Sequence, residues 1–277
     1  MKSIFSIDVE DWFNISGVGC EPDISTWSGL PTTVDKDFPR LLEVFSRANV
    51  TVTCFFLGYV ARRFPSLVKE ALRQGHEVAS HGFSHRLVFE QTSDDFYNDV
   101  VSAKKLLEDI GGVPVRGHRA AAFSVTSKTP WFFERLAQAG YTYDSSVFPA
   151  GHGVGGRLEN ARLEPHEVVT RHGTITEFPI TTVQVFGKPM CFFGGGYLRL
   201  FPYALIRAMG RRALREGRPV VFYIHPREIN PTHPRLPMTL KRRFKSYVNL
   251  RTVEPKLTRI ARDFPLTSFA GYMAARA

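Results

Sequence analysis

Three acids crowd the start of this 277-residue sequence, in Asp8-Val9-Glu10-Asp11, directly after the apolar run Ile4-Phe5-Ser6-Ile7. Carboxylates packed at the end of a strand repel one another and are costly to bury unless a cation or a partner offsets them. Helix capping by Asp8 or Asp11 would need only one of the three, so a functional cluster is expected, with one acid on a metal and another on an arginine. A second constellation is Ser80-His81-Gly82-Phe83-Ser84-His85. His81 and His85 are four apart, and if the segment turns helical both imidazoles share a face and can hold one ion. Two neutral imidazoles and a carboxylate suit zinc or a similar divalent transition metal, with cobalt, nickel and iron also acceptable. A third lies in Phe222-Tyr223-Ile224-His225-Pro226. His152, His166, His172 and His233 have no carboxylate or imidazole partner at helical spacing, and each is expected to be exposed or locally hydrogen bonded.

Each constellation follows a short apolar run. Residues 4–7, 51–57, 77–80, 175–180 and 220–224 are short and bounded by polar residues, as buried strands are. Between them, apolar residues recur at three and four: Phe38, Leu41, Leu42 and Phe45; Leu67, Val68, Ala71 and Leu72; Val100, Ala103, Leu106 and Leu107 before Gly111-Gly112; Phe132, Phe133, Leu136 and Ala137 before Gly140; Leu205, Ile206, Met209 and Leu214. Strand–helix alternation predicts an α/β fold, a parallel sheet with helices packed outside it. The acids and histidines then sit at the C-terminal strand ends, where such barrels carry their sites. No repeat or linker divides the chain, so one domain is expected, with a C-terminal extension from about residue 230. Residues 150–174, with five glycines and three histidines, read as one long loop over an end of the sheet.

Composition narrows the class. At 43% hydrophobic and 13% aromatic the chain can bury a core, and no apolar window is long enough to span a bilayer. Three widely spaced cysteines, Cys20, Cys54 and Cys191, fit neither a disulfide framework nor a cysteine-rich zinc module. The first residues carry acids and no long apolar stretch, so a cytoplasmic protein, at the inner face of the plasma membrane if its substrate is built there, is expected. Lys plus Arg is 36 and Asp plus Glu 26, a net charge of +10. The basic residues are dispersed, and the densest run, Lys241-Arg242-Arg243-Phe244-Lys245, reads as a solvated helix face. No nucleic-acid partner is expected, since charge alone favours one.

With these motifs in order, the chain resembles the polysaccharide deacetylases, the carbohydrate esterases with a NodB homology domain, and most nearly the branch associated with exopolysaccharide and exosortase genes. The resemblance covers residues 4–269 and rests on 6–12, 81–85, 117–124, 143–149, 177–179, 194–197 and 222–229. It implies a distorted (β/α)7 barrel of the NodB type. It implies hydrolysis of an N-acetyl group on an amino sugar of a bacterial polysaccharide or a lipid-linked precursor, with release of acetate. By position, Asp8 matches the general base, Arg119 the arginine that holds it, and His225 the general acid. His81 and His85 match the histidine ligands, and Glu10 or Asp11 the acidic one. Ala121 stands where the family often has proline, and His118 where an aromatic residue precedes the arginine. The implied cofactor is a divalent metal, most simply zinc. A cationic resting His225 and an oxyanion donor among the backbone N–H groups beyond Arg119 are expected. Trp12, Phe123 and Tyr197 are candidates for stacking on sugar rings, with Phe148 beside them, and Gly194-Gly195-Gly196 lets backbone approach the substrate. The alternatives are a hydrolase of another C–N bond, in a formamide or a ureide, and a carbohydrate-binding pseudoenzyme. The partner is an N-acetylated glycan or lipid-linked sugar; peripheral membrane association and oligomeric state are left open.

Overall fold

A computed structural model describes residues 2–151 and 161–276. The strands are β1 (Ser3–Val9), β2 (Thr53–Phe56), β3 (Glu77–Ser80), β4 (Gly117–His118), β5 (Tyr143–Asp144), β6 (His166–Thr170), β7 (Gly173–Glu177), β8 (Thr182–Val185), β9 (Lys188–Cys191), β10 (Val221–Ile224) and β11 (Leu266–Thr267). The helices are α1 (Val34–Arg47), α2 (Gly58–Arg63), α3 (Pro65–Arg73), α4 (Ser93–Gly111), α5 (Phe132–Gln138), α6 (Gly195–Leu200), α7 (Tyr203–Arg215), α8 (Leu240–Tyr247), α9 (Val253–Asp263) and α10 (Phe269–Ala274). The main ladder runs β10-β1-β2-β3-β4-β5-β7-β6, and every pairing from β10 to β7 is parallel. The α/β architecture expected from the alternation is therefore the one observed, and among the described residues the ladder ends at β6 without returning to β10.

The sheet is buried on both sides, which is why its strands read as apolar runs. In β1, Phe5, Ile7 and Val9 join the cluster under the helices, while Ile4 joins a second cluster on the opposite face. Phe269 of α10 sits in that second cluster. Its ring lies 5.7 Å from Phe55 of β2 and 5.1 Å from Phe178 at the end of β7. Those strands are four ladder steps apart, roughly 19 Å on a flat sheet, so a shared neighbour requires the sheet to curl around it. The stretch beyond residue 230 thus supplies part of the inner core, and β11 pairs with β1.

Local chemistry sets the boundaries. Thr92 caps α4 by accepting from the Asp95 N–H, and Gly112, at φ +64°, ends it where the sequence predicts a stop. The long-loop expectation fails from residue 166 onward: β6 and β7 form an antiparallel hairpin across Arg171 and His172. Residues 152–160, including His152, lie outside the described residues. Strands β4 and β5, two residues each, have too little periodicity for the sequence to reveal.

Candidate active site

Alternation along β1 decides which acids meet. Ser6, Asp8 and Glu10 are in phase and face the inner side, whereas Asp11 is out of phase and turns toward α1. Glu10 Oε2 lies 2.6 Å from His85 Nε2 and 3.9 Å from His81 Nε2, and one donor atom from each of the three falls within 4.8 Å of the others. Asp11 instead accepts the N–H groups of Trp12 at 2.8 Å and Thr33 at 3.1 Å, tying β1 to the start of α1. Burial raises the Asp11 carboxyl to about 6 despite those bonds. Glu10 is therefore the acid beside the histidines, and Asp11, the other candidate, is not.

The two histidines meet by a turn, not by the helix the spacing suggested. His81 follows β3, Gly82 has φ +70° and His85 φ +56°, left-handed values that no helix contains. Asp99 of α4 fastens the turn, accepting the N–H of Phe83 at 2.7 Å, the N–H of Ser84 at 3.1 Å and the Ser84 hydroxyl. A Cβ at position 82 would lie 2.8 Å from Asp99 Oδ2, so glycine is required there. His81 donates its Nδ1–H to the Arg119 carbonyl at 2.8 Å. That bond fixes the tautomer and leaves the Nε2 lone pair facing Glu10, as a metal ligand needs. Burial pushes His81 down to about 4, keeping it neutral. This donor set, one carboxylate and two imidazoles with that of His81 already locked, fits a divalent ion.

Asp8 is held from behind. Arg119, fully buried, donates through Nη1 to Asp8 Oδ1 and Ser6 Oγ, each at 2.7 Å, and through Nε to the Ser145 carbonyl at 3.0 Å. The guanidinium also lies 4.3 Å from the Phe55 ring centre. Asp8 Oδ2 is left facing His225, 3.9 Å from its Nε2. His225 follows β10, and its Nδ1 donates to Glu228 at 2.9 Å, which in turn pairs with buried Arg199. Burial pushes His225 down to about 4, Glu10 pulling it up and Arg227 down. It is therefore neutral at pH 7, and the cationic resting state expected from the sequence does not fit. His118 is bonded to Asp144 in the core. His166 bonds the Glu164 carbonyl, His172 lies beside Glu134, and His233 is buried on the Pro234 carbonyl.

Asp8, Glu10, His81, His85 and His225 open onto one cavity of about 170 Å³, which Phe123 and Gly195 also line. A cavity of about 430 Å³ adjoins it, sharing Asn14, Ser16 and His85. Trp12 is not at this site: it is buried, its Nε1–H bonded to the Pro31 carbonyl and its ring against Phe13. Tyr197 does not line the cavity and stacks on Phe148 and Phe201. Nothing in the sequence pointed to Asp99, and Arg227 and Glu228, although within the motif 222–229, carried no assigned role. The last two stand in the segment after His225, where charged residues beside a buried strand end are themselves a signal.

Residues 26–143 match the family model described as polysaccharide deacetylase, and residues 145–274 match a domain of unknown function (DUF3473). A peptidoglycan-N-acetylglucosamine deacetylase of Bacillus cereus is 30% identical over 74 residues, 27% of this chain and 27% of that protein. Its counterpart in Listeria monocytogenes is 35% identical over 74 residues, 27% of this chain and 16% of that protein. The matched stretch thus spans about a quarter or less of these relatives. A Mycobacterium smegmatis structure assigned to the polysaccharide deacetylases has a TM-score of 0.62 at 18% identity, covering 100% of this chain and 91% of that one. The Puue allantoinase structure has a TM-score of 0.59 at 14% identity, covering 95% and 85%. These two likenesses speak to the fold. The chain is thus similar to polysaccharide deacetylases over residues 26–143 by the family model and over stretches of 74 residues by these relatives.

Proposed function

We propose that this protein removes the N-acetyl group from an amino sugar of a bacterial polysaccharide or its lipid-linked precursor, using a divalent metal held by Glu10, His81 and His85. The observation that carries the reading is the convergence of those three donors, the Asp8–Arg119 pair and His225 on one cavity. Amides resist hydrolysis because water is a weak nucleophile and amine nitrogen a poor leaving group. A bound ion would supply a water of pKa near 7 and polarise the acetyl carbonyl. Zinc is the ion we favour, the donor set being one it commonly takes.

The residues divide the proton work. Arg119 occupies Asp8 Oδ1, so Oδ2 is the oxygen that accepts a proton as the water attacks. Neutral His225, its Nδ1–H on Glu228, has Nε2 ready to take that proton and pass it to the departing nitrogen. The C–N bond breaks, the oxygen stays with the acetyl group, and acetate and a free amine leave. The Ala120 N–H is committed to Ser146 Oγ at 2.8 Å, so an oxyanion donor must come from further along. Ala122 reaches the cavity at φ +50° and is our candidate.

The test is acetate release by zinc-loaded protein from N-acetylated chitooligosaccharides and peptidoglycan fragments, with allantoin and formamide in parallel. Acetate from the glycans supports the reading. Hydrolysis of the ureide or formamide alone, or binding of glycan without turnover, overturns it.

A further inference from the structure

Between Glu228 and Glu254 the chain carries Arg235, Lys241, Arg242, Arg243, Lys245 and Arg251 and no acid. Most of that charge is on α8, whose inner side is fixed by buried Ser246 and Tyr247, the Tyr247 hydroxyl accepting the Leu236 N–H at 3.0 Å. A solvated face explains the lysines and arginines but not the ridge between them. Leu240 is 84% exposed and Phe244 59%, and at i and i+4 they stand side by side, flanked by Lys241 and Lys245. Leu200, on the neighbouring α6, is 48% exposed as well.

We propose that α8 docks this protein on an anionic lipid bilayer, with Leu240 and Phe244 entering the interfacial layer and the flanking bases meeting lipid headgroups. Apolar side chains on one face with lysine and arginine beside them are what such a surface recognises. A nucleic acid would use the charge and leave the ridge without a partner. The helix also belongs to the rim of the site. Arg242 donates to the Ser16 carbonyl at 2.6 Å, and the Lys245 carbonyl accepts from Arg199 at 2.9 Å and lies 3.7 Å from a Cβ built on Gly196. Ser16 and Gly196 both line the cavity that holds Asp8 and Glu10. Docking therefore brings the cavity mouth to the lipid surface, where a lipid-linked glycan would present its sugar. That consequence rests on the proposed hydrolase reading; the docking does not.

The experiment is cosedimentation of the full chain with phosphatidylcholine vesicles, with and without about one-third phosphatidylglycerol. Binding is expected only with the anionic lipid and is expected to weaken with salt. Lys241→Gln, Arg243→Gln and Lys245→Gln together should weaken partitioning by on the order of a hundredfold, from about 1 kcal/mol per basic residue. Leu240→Ser with Phe244→Ser should weaken it about tenfold or more. Both variants change exposed positions, so an unaltered melting temperature and unaltered hydrolysis of a soluble substrate show that the loss is one of docking. Failure to bind anionic vesicles, equal binding by the variants, or capture of an oligonucleotide through these bases with vesicles ignored would each overturn the proposal. Vesicle binding without hydrolase activity would leave docking standing and refute the hydrolase.

Discussion

Arg119→Met is the substitution that most sharply separates a structural pair from a catalytic one. Methionine has nearly the length of the arginine stem, so little cavity opens. The change removes the 2.7 Å bond to Asp8 Oδ1, the bond to Ser6 Oγ and the Nε–H bond to the Ser145 carbonyl. Asp8 is 1% exposed, so its carboxylate is left buried without a cation. Breaking a buried pair from one side costs about 3–5 kcal/mol, which urea denaturation resolves comfortably. Asp8→Asn added to Arg119→Met removes the stranded charge and should recover about half of that loss. Acetate release should stay down by roughly 10² to 10⁴ in both proteins, because neither has the proton acceptor correctly held. A single variant within about 1 kcal/mol of the parent, or a double variant less stable than the single one, would refute the argument.

Other expectations follow from the same geometry. Asp99→Ala releases the turn that brings His85 to Glu10 and should weaken divalent-ion binding about 10- to 100-fold, measured by calorimetric titration, with secondary structure retained. Glu228→Gln leaves Arg199 without its counter-ion and His225 without a carboxylate acceptor; kcat should fall about tenfold or more with KM little changed. The metal-free protein should lose stability in urea as pH falls from about 7 to 4. His81, His225 and His233 have folded values near 4, below the ordinary 6.5. Their contribution is complete above 6.5 and disappears as pH passes down through 4, each costing up to about 1.4 kcal/mol per pH unit between. His76, also lowered by burial, acts with them, while Asp11, raised to about 6, and Asp37 and Glu177, raised by burial as well, act in the opposite sense, so four depressed imidazoles stand against three raised carboxyls. A flat profile would contradict the burial of these imidazoles.

Much of this arrangement was legible before any coordinates. The apolar runs located β1, β2, β3, β10 and the end of β7, and placing Asp8, His81 and His225 just beyond three of those runs put the chemistry at one end of a parallel sheet. The choice between Glu10 and Asp11 was legible too, had the period of two in β1 been followed one residue past its end, since Ser6, Asp8 and Glu10 share a face. The His81–His85 turn was not, because four-residue spacing is equally consistent with a helix, and what selects the turn is Asp99, brought in from α4. Trp12 misled for a similar reason. Proximity to an acidic motif says nothing of the direction a side chain takes, and at residue 12 the chain has already turned into the core. Apart from the run at 175–177, the β6–β7 hairpin was hidden by two histidines, three threonines and a glycine, which resemble loop composition although Val168, Val169 and Ile175 lie among them. Strand pairs as short as β4 and β5 leave no periodic trace.

The central claim is that Glu10, His81 and His85 hold one divalent ion beside Asp8 and His225. Zinc titration of the purified chain, metal-free at the start, tests it most directly when run alongside Glu10→Gln, Asp11→Asn and His81→Ala. The account predicts one ion per chain for the parent and for Asp11→Asn, and none for the other two. An ion retained by Glu10→Gln and lost by Asp11→Asn would contradict it, as would a parent chain that takes up no zinc.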